Sequence, residues 1–225
     1  MTIRSTPVGV PAYNTRLLGN LSAPDRPTAL AVVAYTSASA RGTPPEHQLV
    51  AALRDFKLAT LRLDLLTSDE AALHAIGRRS RHDIGVLGKR LAAAMEWVSA
   101  QAQFAGLSRA FIGTGLGATA AFAAAADRPE IPQAIISIDG WTEHLSGTLE
   151  NVRAPTLLIA GRNNTDIVAL NESALARLRS LKHLELIGGV TNILENHDAL
   201  DAAARLTADW LQRFLRLPSP SDTTR

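Results

Sequence analysis

Short apolar runs alternate along the chain with longer segments in which apolar residues recur three and four positions apart. Runs rich in Val, Ile and Leu predict six buried strands, at 29–35, 58–65, 109–113, 133–139, 155–161 and 183–189. Segments with the longer period predict five helices, at 45–55, 84–103, 116–127, 168–181 and 198–215. Because strands that alternate with helices form βα units, the pattern predicts an α/β fold with a parallel sheet.

The two ends of the chain depart from this alternation. The N-terminal segment TIRSTPVGVPAYNTRLLGNLSAP is more polar and is interrupted by proline and glycine, which predicts an antiparallel hairpin at the edge of the sheet. The C-terminal segment LPSPSDTTR, residues 217–225, predicts a disordered tail. A chain of 225 residues is typical of one domain, so we expect a single domain over 1–216.

Composition excludes several classes of function. The absence of cysteine excludes disulfides, thiolate metal sites and a cysteine nucleophile, and the six histidines lack the spacing of metal ligands, so we expect no metal and no cofactor. The 23 basic residues are nearly balanced by 21 acidic ones and form no long basic run, which argues against a nucleic-acid partner. No segment approaches the length of a membrane span or a signal peptide, so we expect a cytoplasmic protein without a membrane partner.

Ligands of an open parallel sheet bind beyond the carboxyl ends of its strands, and one strand end stands out. There the strand 109–113 runs through GTGLG, residues 113–117, into the helix at 116–127. This is the spacing of the nucleophile elbow G-x-S-x-G, in which a tight turn presents a serine. Gly113 and Gly117 match the flanking glycines, but Gly115 stands at the serine position.

The segments LRLDLLTSDE, VRAPTLLIAG, IVALNESALARLRSLKHLELIGG and AARLTADWLQRFL occur in the order of successive blocks of the α/β-hydrolase superfamily. Together with the elbow, they make nearly the whole chain resemble bacterial dienelactone-hydrolase-like proteins. The resemblance implies a mostly parallel sheet of about eight strands flanked by helices. It also implies ester or lactone hydrolysis by a serine, an acid and a histidine, in that order along the chain.

The resemblance places the three catalytic positions on Gly115, Asn164 and Asn192. Glycine supplies no nucleophile, and an asparagine amide neither accepts a proton near neutral pH nor stabilises an imidazolium electrostatically. We therefore expect that the serine-hydrolase mechanism is lost. Tyr35 and Thr36 stand where the family usually has His-Gly, so the N–H groups of Thr36 and Leu116 would occupy the places of the oxyanion-hole donors.

Other residues near these strand ends are candidates for replacement chemistry. Asp139, Asp64 and His144 are the candidate acids and bases, although a carboxylate at a strand end is often a helix cap. His197 is either a displaced base or part of the cap of the last helix. Three hydroxyls could act as a displaced nucleophile, and three arginines could contact an acidic ligand: Ser37, Ser39 and Thr114, and Arg78, Arg79 and Arg81.

Three hypotheses about function follow from these residues. The first is a non-hydrolytic pseudoenzyme that retains a pocket for a small carbonyl-containing or anionic molecule. The second is a lyase, isomerase or cyclase that uses the oxyanion hole and a carboxylate on a small carbonyl compound. The third is an ester or lactone hydrolase with a displaced nucleophile or an activated water. A homodimer is a common state for small soluble proteins and is our expectation for assembly.

Overall fold

A computed structural model describes residues 4–36, 49–50, 53, 56–75, 83–143, 145 and 147–215. Its eight strands form one sheet in the order β1-β2-β4-β3-β5-β6-β7-β8. The strand bounds are β1 Arg4–Ala12, β2 Thr15–Ala23, β3 Ala29–Tyr35, β4 Leu58–Asp64, β5 Ser108–Thr114, β6 Ala134–Ile138, β7 Thr156–Gly161 and β8 Lys182–Ile187. All six strands predicted in the core of the sheet are present, with bounds that agree to within two residues.

The direction of the strands matches the sequence-based prediction. β1 pairs antiparallel with β2, and β2 pairs antiparallel with β4, so the predicted N-terminal hairpin is confirmed at one edge. From β4 to β8 every pairing is parallel. The carboxyl ends of β3 to β8 therefore meet along one side of the sheet.

Helices cover both faces of this sheet. The described helices are α1 Ser68–Ala75, α2 Ile84–Ser99, α3 Leu116–Asp127, α4 Thr165–Arg177 and α5 His197–Leu215. Side chains of α2, α3 and α4 belong to one buried cluster, whereas those of α5 belong to a second cluster on the opposite face. Among the described residues, no helix combines the length and the apolar character needed to cross a membrane.

Some predicted features lie outside the described residues. They are most of the helix predicted at 45–55, the tail at 217–225, the side chain of His144, the hydroxyls of Ser37 and Ser39, and the arginines Arg78, Arg79 and Arg81. Leu49, Val50 and Leu53 are described, and all three contribute to the buried cluster that contains α5.

A buried arginine holds the turn that follows β4. Arg90 of α2 is 4% exposed and donates to both carboxylate oxygens of Glu70 in α1, at 2.7 and 3.0 Å. The same guanidinium donates to the carbonyl of Leu65 at 2.9 Å. Glu70 also forms a capping box, because its backbone N–H donates to the Thr67 hydroxyl and its carboxylate accepts from the Thr67 N–H. These bonds join α1, α2 and the end of β4.

Candidate functional site

The turn between β5 and α3 has the backbone shape of a nucleophile elbow. Gly115 has φ of +52° and ψ of −120°, a conformation that residues with a side chain rarely adopt. Its N–H donates to the carbonyl of Ile138 on β6 at 3.2 Å, and its carbonyl accepts from the N–H of Ala118 at 3.2 Å. A Cβ added at Gly115 would meet no atom of the described residues within 4 Å, so the position that the resemblance assigns to the serine is open on this side.

The two flanking glycines let α3 approach the sheet closely. A Cβ at Gly117 would collide with the carbonyl of Ala34 and would lie 3.0 Å from the Cα of Tyr35. A Cβ at Gly113 would likewise collide with the backbone of Ala118. The first turn of α3 therefore rests on the end of β3, next to Thr36.

The start of α3 leaves backbone donors available. Gly115 at the N-cap has no side chain to accept from the first N–H groups, and no side chain in the described part of the chain caps this helix. Leu116 is the first residue of α3, so its N–H has no partner four residues earlier within the helix. A helix N-terminus of this kind favours a carbonyl oxygen or an anion.

Asp139, a candidate acid, joins three strand ends. It has a positive φ of +46°, and its carboxylate accepts from the N–H of Gly161 at 3.0 Å and from the N–H of Ile193 at 2.8 Å. Burial raises the pKa of the Asp139 carboxyl above its ordinary value and outweighs the opposing effect of these two hydrogen bonds. Each carboxylate oxygen thus binds a backbone donor at the end of β7 or after β8.

The two asparagines that the resemblance assigns to the acid and histidine positions are N-caps, Asn164 of α4 and Asn192 of a short 3-10 helix. Asn164 is the N-cap of α4, where its side-chain oxygen accepts from the N–H of Ile167 at 3.2 Å. Its amide nitrogen donates to the carbonyl of Thr191 at 3.3 Å, which joins the two loops. Asn192 accepts from the N–H of Leu194 at 3.0 Å and donates to Glu195 at 2.8 Å.

These contacts bring the three resemblance-based positions into one cluster. The N–H of Gly115 donates to the carbonyl of Ile138. Asp139, which follows Ile138 in the chain, accepts from the N–H of Ile193. Ile193 directly follows Asn192, whose loop is bonded to Asn164 through Thr191. The carboxyl ends of β5 to β8 thus form a continuous network beneath the elbow.

An exposed tryptophan that is not among the sequence-based candidates lies beside the elbow. The N–H of Trp141 donates to the carbonyl of Gly115 at 3.3 Å, and its carbonyl accepts from the hydroxyl of Thr119. Asn171 of α4 holds the same loop by donating to the carbonyl of Gly140 at 3.0 Å. Trp141 is nevertheless 42% exposed. Aromatic residues make up only 4% of the chain, so a tryptophan directly after a strand end is unusual here. That position in the sequence was the signal that could have identified Trp141.

The remaining candidates lie in different surroundings. Asp64 ends β4, the neighbour of β3 in the sheet. It is 1% exposed and accepts from the N–H of Leu66 at 3.0 Å. Thr114 is partly buried at the end of β5. His197 lies on the surface at the start of α5, within 3.7 Å of Asp198 and 3.6 Å of Asp201. Within the described ranges, no group of three or more His, Asp or Glu side chains is arranged to hold a metal ion.

A separate cleft of about 600 Å³ lies at the opposite end of the sheet, at the amino ends of β5 and β6. Its lining includes Arg109 and Gln133, whose polar groups are already bonded. Arg109 donates from its guanidinium to the carbonyl of Glu130 at 3.1 Å, and its N–H donates to the Gln133 side chain at 2.6 Å. This cleft is remote from the elbow.

Known proteins share this architecture over its whole length. A dienelactone hydrolase from Anabaena variabilis has a crystal structure with 35% identity and a TM-score of 0.88, over 95% of this chain and 99% of that chain. A dienelactone hydrolase-like promiscuous phosphotriesterase from metagenomic libraries shares the fold, with 15% identity and a TM-score of 0.78 over 96% of this chain and 99% of its own.

Two Mycobacterium tuberculosis proteins, from different strains and named as proposed phosphoribosyl transferases, are each 32% identical over 219 residues. The match covers 97% of this chain but 48% of each relative, so the chain spans about half their length. No protein-family model matches the chain. The eight-stranded sheet, the glycine-flanked elbow and the 35% identity over almost the full length of the Anabaena enzyme show that the chain belongs to the dienelactone hydrolase-like α/β-hydrolases.

Proposed function

We propose that this protein is a pseudoenzyme of its family, which binds a small carbonyl-containing or anionic molecule at the elbow and does not hydrolyse it. The observation that carries the proposal is the state of the three positions named by the resemblance. Gly115 has no side chain, and the side chains of Asn164 and Asn192 are both bonded to neighbouring backbone. An elbow with neither nucleophile nor base cannot form an acyl-enzyme.

Binding at this site is supported by groups that do not depend on the missing serine. The N–H of Leu116 lies at the positive end of α3, which packs against the end of β3 next to Thr36. The backbone of Trp141, an exposed residue, is held beside Gly115 by a hydrogen bond. A carbonyl or carboxylate oxygen on the N–H groups and a planar part of the ligand against the indole would use both features.

The two alternatives each need a free acid or base near the elbow. Both oxygens of Asp139 accept backbone hydrogen bonds, and Asp64 is buried with one oxygen bonded to the N–H of Leu66. His197 lies on the surface beside Asp198 and Asp201. For the candidates that the structure describes, these positions favour the binding protein over a repurposed lyase or a hydrolase with a displaced nucleophile.

The proposal is tested by restoring the three side chains together. The wild-type protein and the variant Gly115→Ser with Asn164→Asp and Asn192→His are treated with a fluorophosphonate probe, and their intact masses are measured. We expect no adduct on the wild-type protein and one adduct on the restored variant. Turnover of small aryl esters and lactones, measured on the same samples, should follow the labelling.

A matched control carries Gly115→Ala with the same two substitutions, which reproduces the backbone strain without a nucleophile. This control should neither label nor hydrolyse. Labelling or catalytic turnover by the wild-type protein would overturn the pseudoenzyme proposal. A folded restored variant that stays inert would show that Gly115, Asn164 and Asn192 are not the three positions, or that the catalytic geometry around them is lost.

The length of the M. tuberculosis relatives suggests a partner for the site. The hydrolase fold uses nearly all of this chain, while the relatives are about twice as long and are named for phosphoribosyl transfer. We propose that such transfer resides in the remaining half of those relatives, and that this chain acts beside a domain of that kind. The purified chain should therefore show no phosphoribosyl transfer by itself, and measurable transfer would contradict this assignment.

A further inference from the structure

The outer edge of β8 presents unpaired backbone groups. Among the described residues, β8 is the last strand of the sheet and pairs with β7 alone. Thr156 donates to the carbonyl of Leu181, and Arg162 donates to the carbonyl of Ile187, each at 2.9 Å. Because backbone groups alternate along a strand, those of 181, 183, 185 and 187 point toward β7. Those of Lys182, Leu184 and Leu186 point outward, as a template for another strand.

The opposite edge of the sheet is closed to such pairing. β1 carries Pro7 and Pro11, which have no N–H to donate and pair with β2 opposite Asn20 and Arg16. Proline in an edge strand is a common protection against edge-to-edge association. β8 contains no proline, so its edge is the one that can accept a partner strand.

A second copy of β8 can pair with this edge in three antiparallel registers, and only one of them places His183 opposite Glu185. Outward-facing residues must lie opposite one another, which allows a two-fold axis through Leu184 or one position to either side. Shifting the axis toward the start of the strand places His183 opposite His183, and shifting it toward the end places Glu185 opposite Glu185. With the axis at Leu184, His183 faces Glu185 of the second copy in both directions.

The same register also pairs the apolar residues. Leu184 lies opposite Leu184 of the second copy, on the face that packs against the cluster of α2, α3 and α4. Leu181, which is 51% exposed, lies opposite Ile187 of the second copy. His183 and Glu185 already lie 3.3 Å apart on one strand, so the pairing would form a group of four alternating charged or polar side chains.

We propose that this protein forms a homodimer in which β8 of two copies pairs antiparallel about a two-fold axis at Leu184 and extends the sheet across both molecules. Leu184 exchanges N–H and carbonyl bonds with Leu184 of the second copy, and Lys182 exchanges them with Leu186 of the second copy. The Lys182 ammonium donates to the carbonyl of Leu178 on its own chain, which keeps this charge bound at the end of α4. The inference does not depend on the function proposed for the elbow.

Sedimentation velocity across a protein concentration series tests the proposal. We expect the wild-type chain to dimerise and Leu184→Pro to shift it to monomer, because proline removes the outward N–H at the centre without touching a bond to β7. Leu184→Ala is the matched control, which shortens the side chain but keeps the N–H, and it should dimerise more strongly than the proline variant. A wild-type chain that stays monomeric, or a folded proline variant that dimerises normally, would overturn the proposal.

Charge reversal tests the register separately. Glu185→Lys alone places a lysine opposite His183 of the second copy, and His183→Glu alone places two carboxylates opposite each other. Either change should weaken the dimer roughly tenfold, because Glu185→Lys removes the carboxylate partner of His183 and His183→Glu brings two carboxylates together, on both sides of the axis. The double variant should restore dimerisation, because the opposite charges are exchanged. Neither shifted register allows this rescue, so a failure of the double variant would exclude pairing about Leu184.

Discussion

Gly115 has a positive φ, and an added Cβ there would meet no neighbouring atom of the described residues. A substitution at Gly115 therefore measures the cost of the backbone conformation without a steric clash. We expect Gly115→Ala to lower the free energy of unfolding by about 1–3 kcal/mol, the cost of holding an ordinary residue in a sparsely populated conformation. Urea unfolding followed by circular dichroism measures this change.

Gly188 provides the matched control for this substitution. It also has no atom within 4 Å of an added Cβ, but its φ lies outside the range that excludes side chains. Gly188→Ala should therefore leave stability nearly unchanged. Equal effects at the two glycines would mean that the elbow conformation is not the source of the strain.

Asp139 is a second residue at which a single atom can be changed. Asp139→Asn keeps a residue that tolerates positive φ but leaves one acceptor for the N–H groups of Gly161 and Ile193. We expect a loss of about 1–3 kcal/mol from the unpaired buried donor. If urea unfolding shows that the free energy of unfolding falls by only a few tenths of a kcal/mol, water satisfies the second N–H.

The raised pKa of Asp139 gives this effect a pH dependence of known sign. The folded protein holds the Asp139 proton more tightly than the unfolded chain, whose ordinary pKa is 3.8. The stability that this group contributes is thus greatest below pH 3.8 and declines as pH rises through the folded pKa. The difference in stability between wild type and Asp139→Asn should shrink over that interval, and a constant or growing difference would contradict the raised pKa.

At the scale of elements, the sequence located the strands and helices well where apolar residues mark both ends. α3 has the predicted bounds, because its alanine-rich face begins at the elbow and ends at Asp127. α4 begins at Thr165 instead of position 168, because Asn164 caps a polar first turn that the apolar period does not detect. α2 ends at Ser99, and a short 3-10 helix at Ala102–Phe104 accounts for the rest of the predicted segment.

The ion pair between Glu70 of α1 and Arg90 of α2 gives a testable prediction about how two helices are held together. The hydrogen bonds from Arg90 lower the pKa of Glu70 from 4.5 to about 2. Glu70→Gln leaves the buried guanidinium without its counter-charge, and we expect a loss of about 1–3 kcal/mol at pH 7, less than for a fully buried pair because Glu70 is 37% exposed. Thermal unfolding of both proteins measures it.

The lowered pKa also predicts how this loss depends on pH. Stability from ionised Glu70 is complete above its unfolded pKa of 4.5 and disappears as pH falls toward the folded value of about 2. The gap between wild type and Glu70→Gln should therefore close in acid. Glu130→Gln, which breaks the exposed pair with Arg128, is the control and should change little at any pH.

For the whole molecule, the two edges of the sheet differ in chemistry. Pro7 and Pro11 each remove a donor from the outer edge of β1. Replacing both with threonine restores these N–H groups on an edge strand, so we expect increased self-association beyond that of the wild-type chain. Sedimentation velocity measures the change, and a sedimentation profile identical to that of wild type would show that the prolines do not protect this edge.

The sequence also predicted which strand ends come together, but not the contacts that join them. Spacing and resemblance placed Gly115, Asn164 and Asn192 at strand ends that the parallel topology brings together. The bond from Asp139 to Ile193 spans 54 positions of the chain, and no local pattern encodes a contact of that kind. Trp141 was missed for the same reason, because its position depends on Thr119 and Asn171 from two different helices.

The open space at Gly115 makes the elbow accessible to a chemical reporter. The chain has no cysteine, so Gly115→Cys would carry its single thiol at the N-terminus of α3. A helix N-terminus lowers the pKa of a thiol, and we expect this cysteine to react with iodoacetamide faster at neutral pH than a cysteine introduced at Gly188. A bound molecule that covers the turn would slow the alkylation, so reaction rates across a compound library would identify ligands of the elbow without an assay of enzymatic activity.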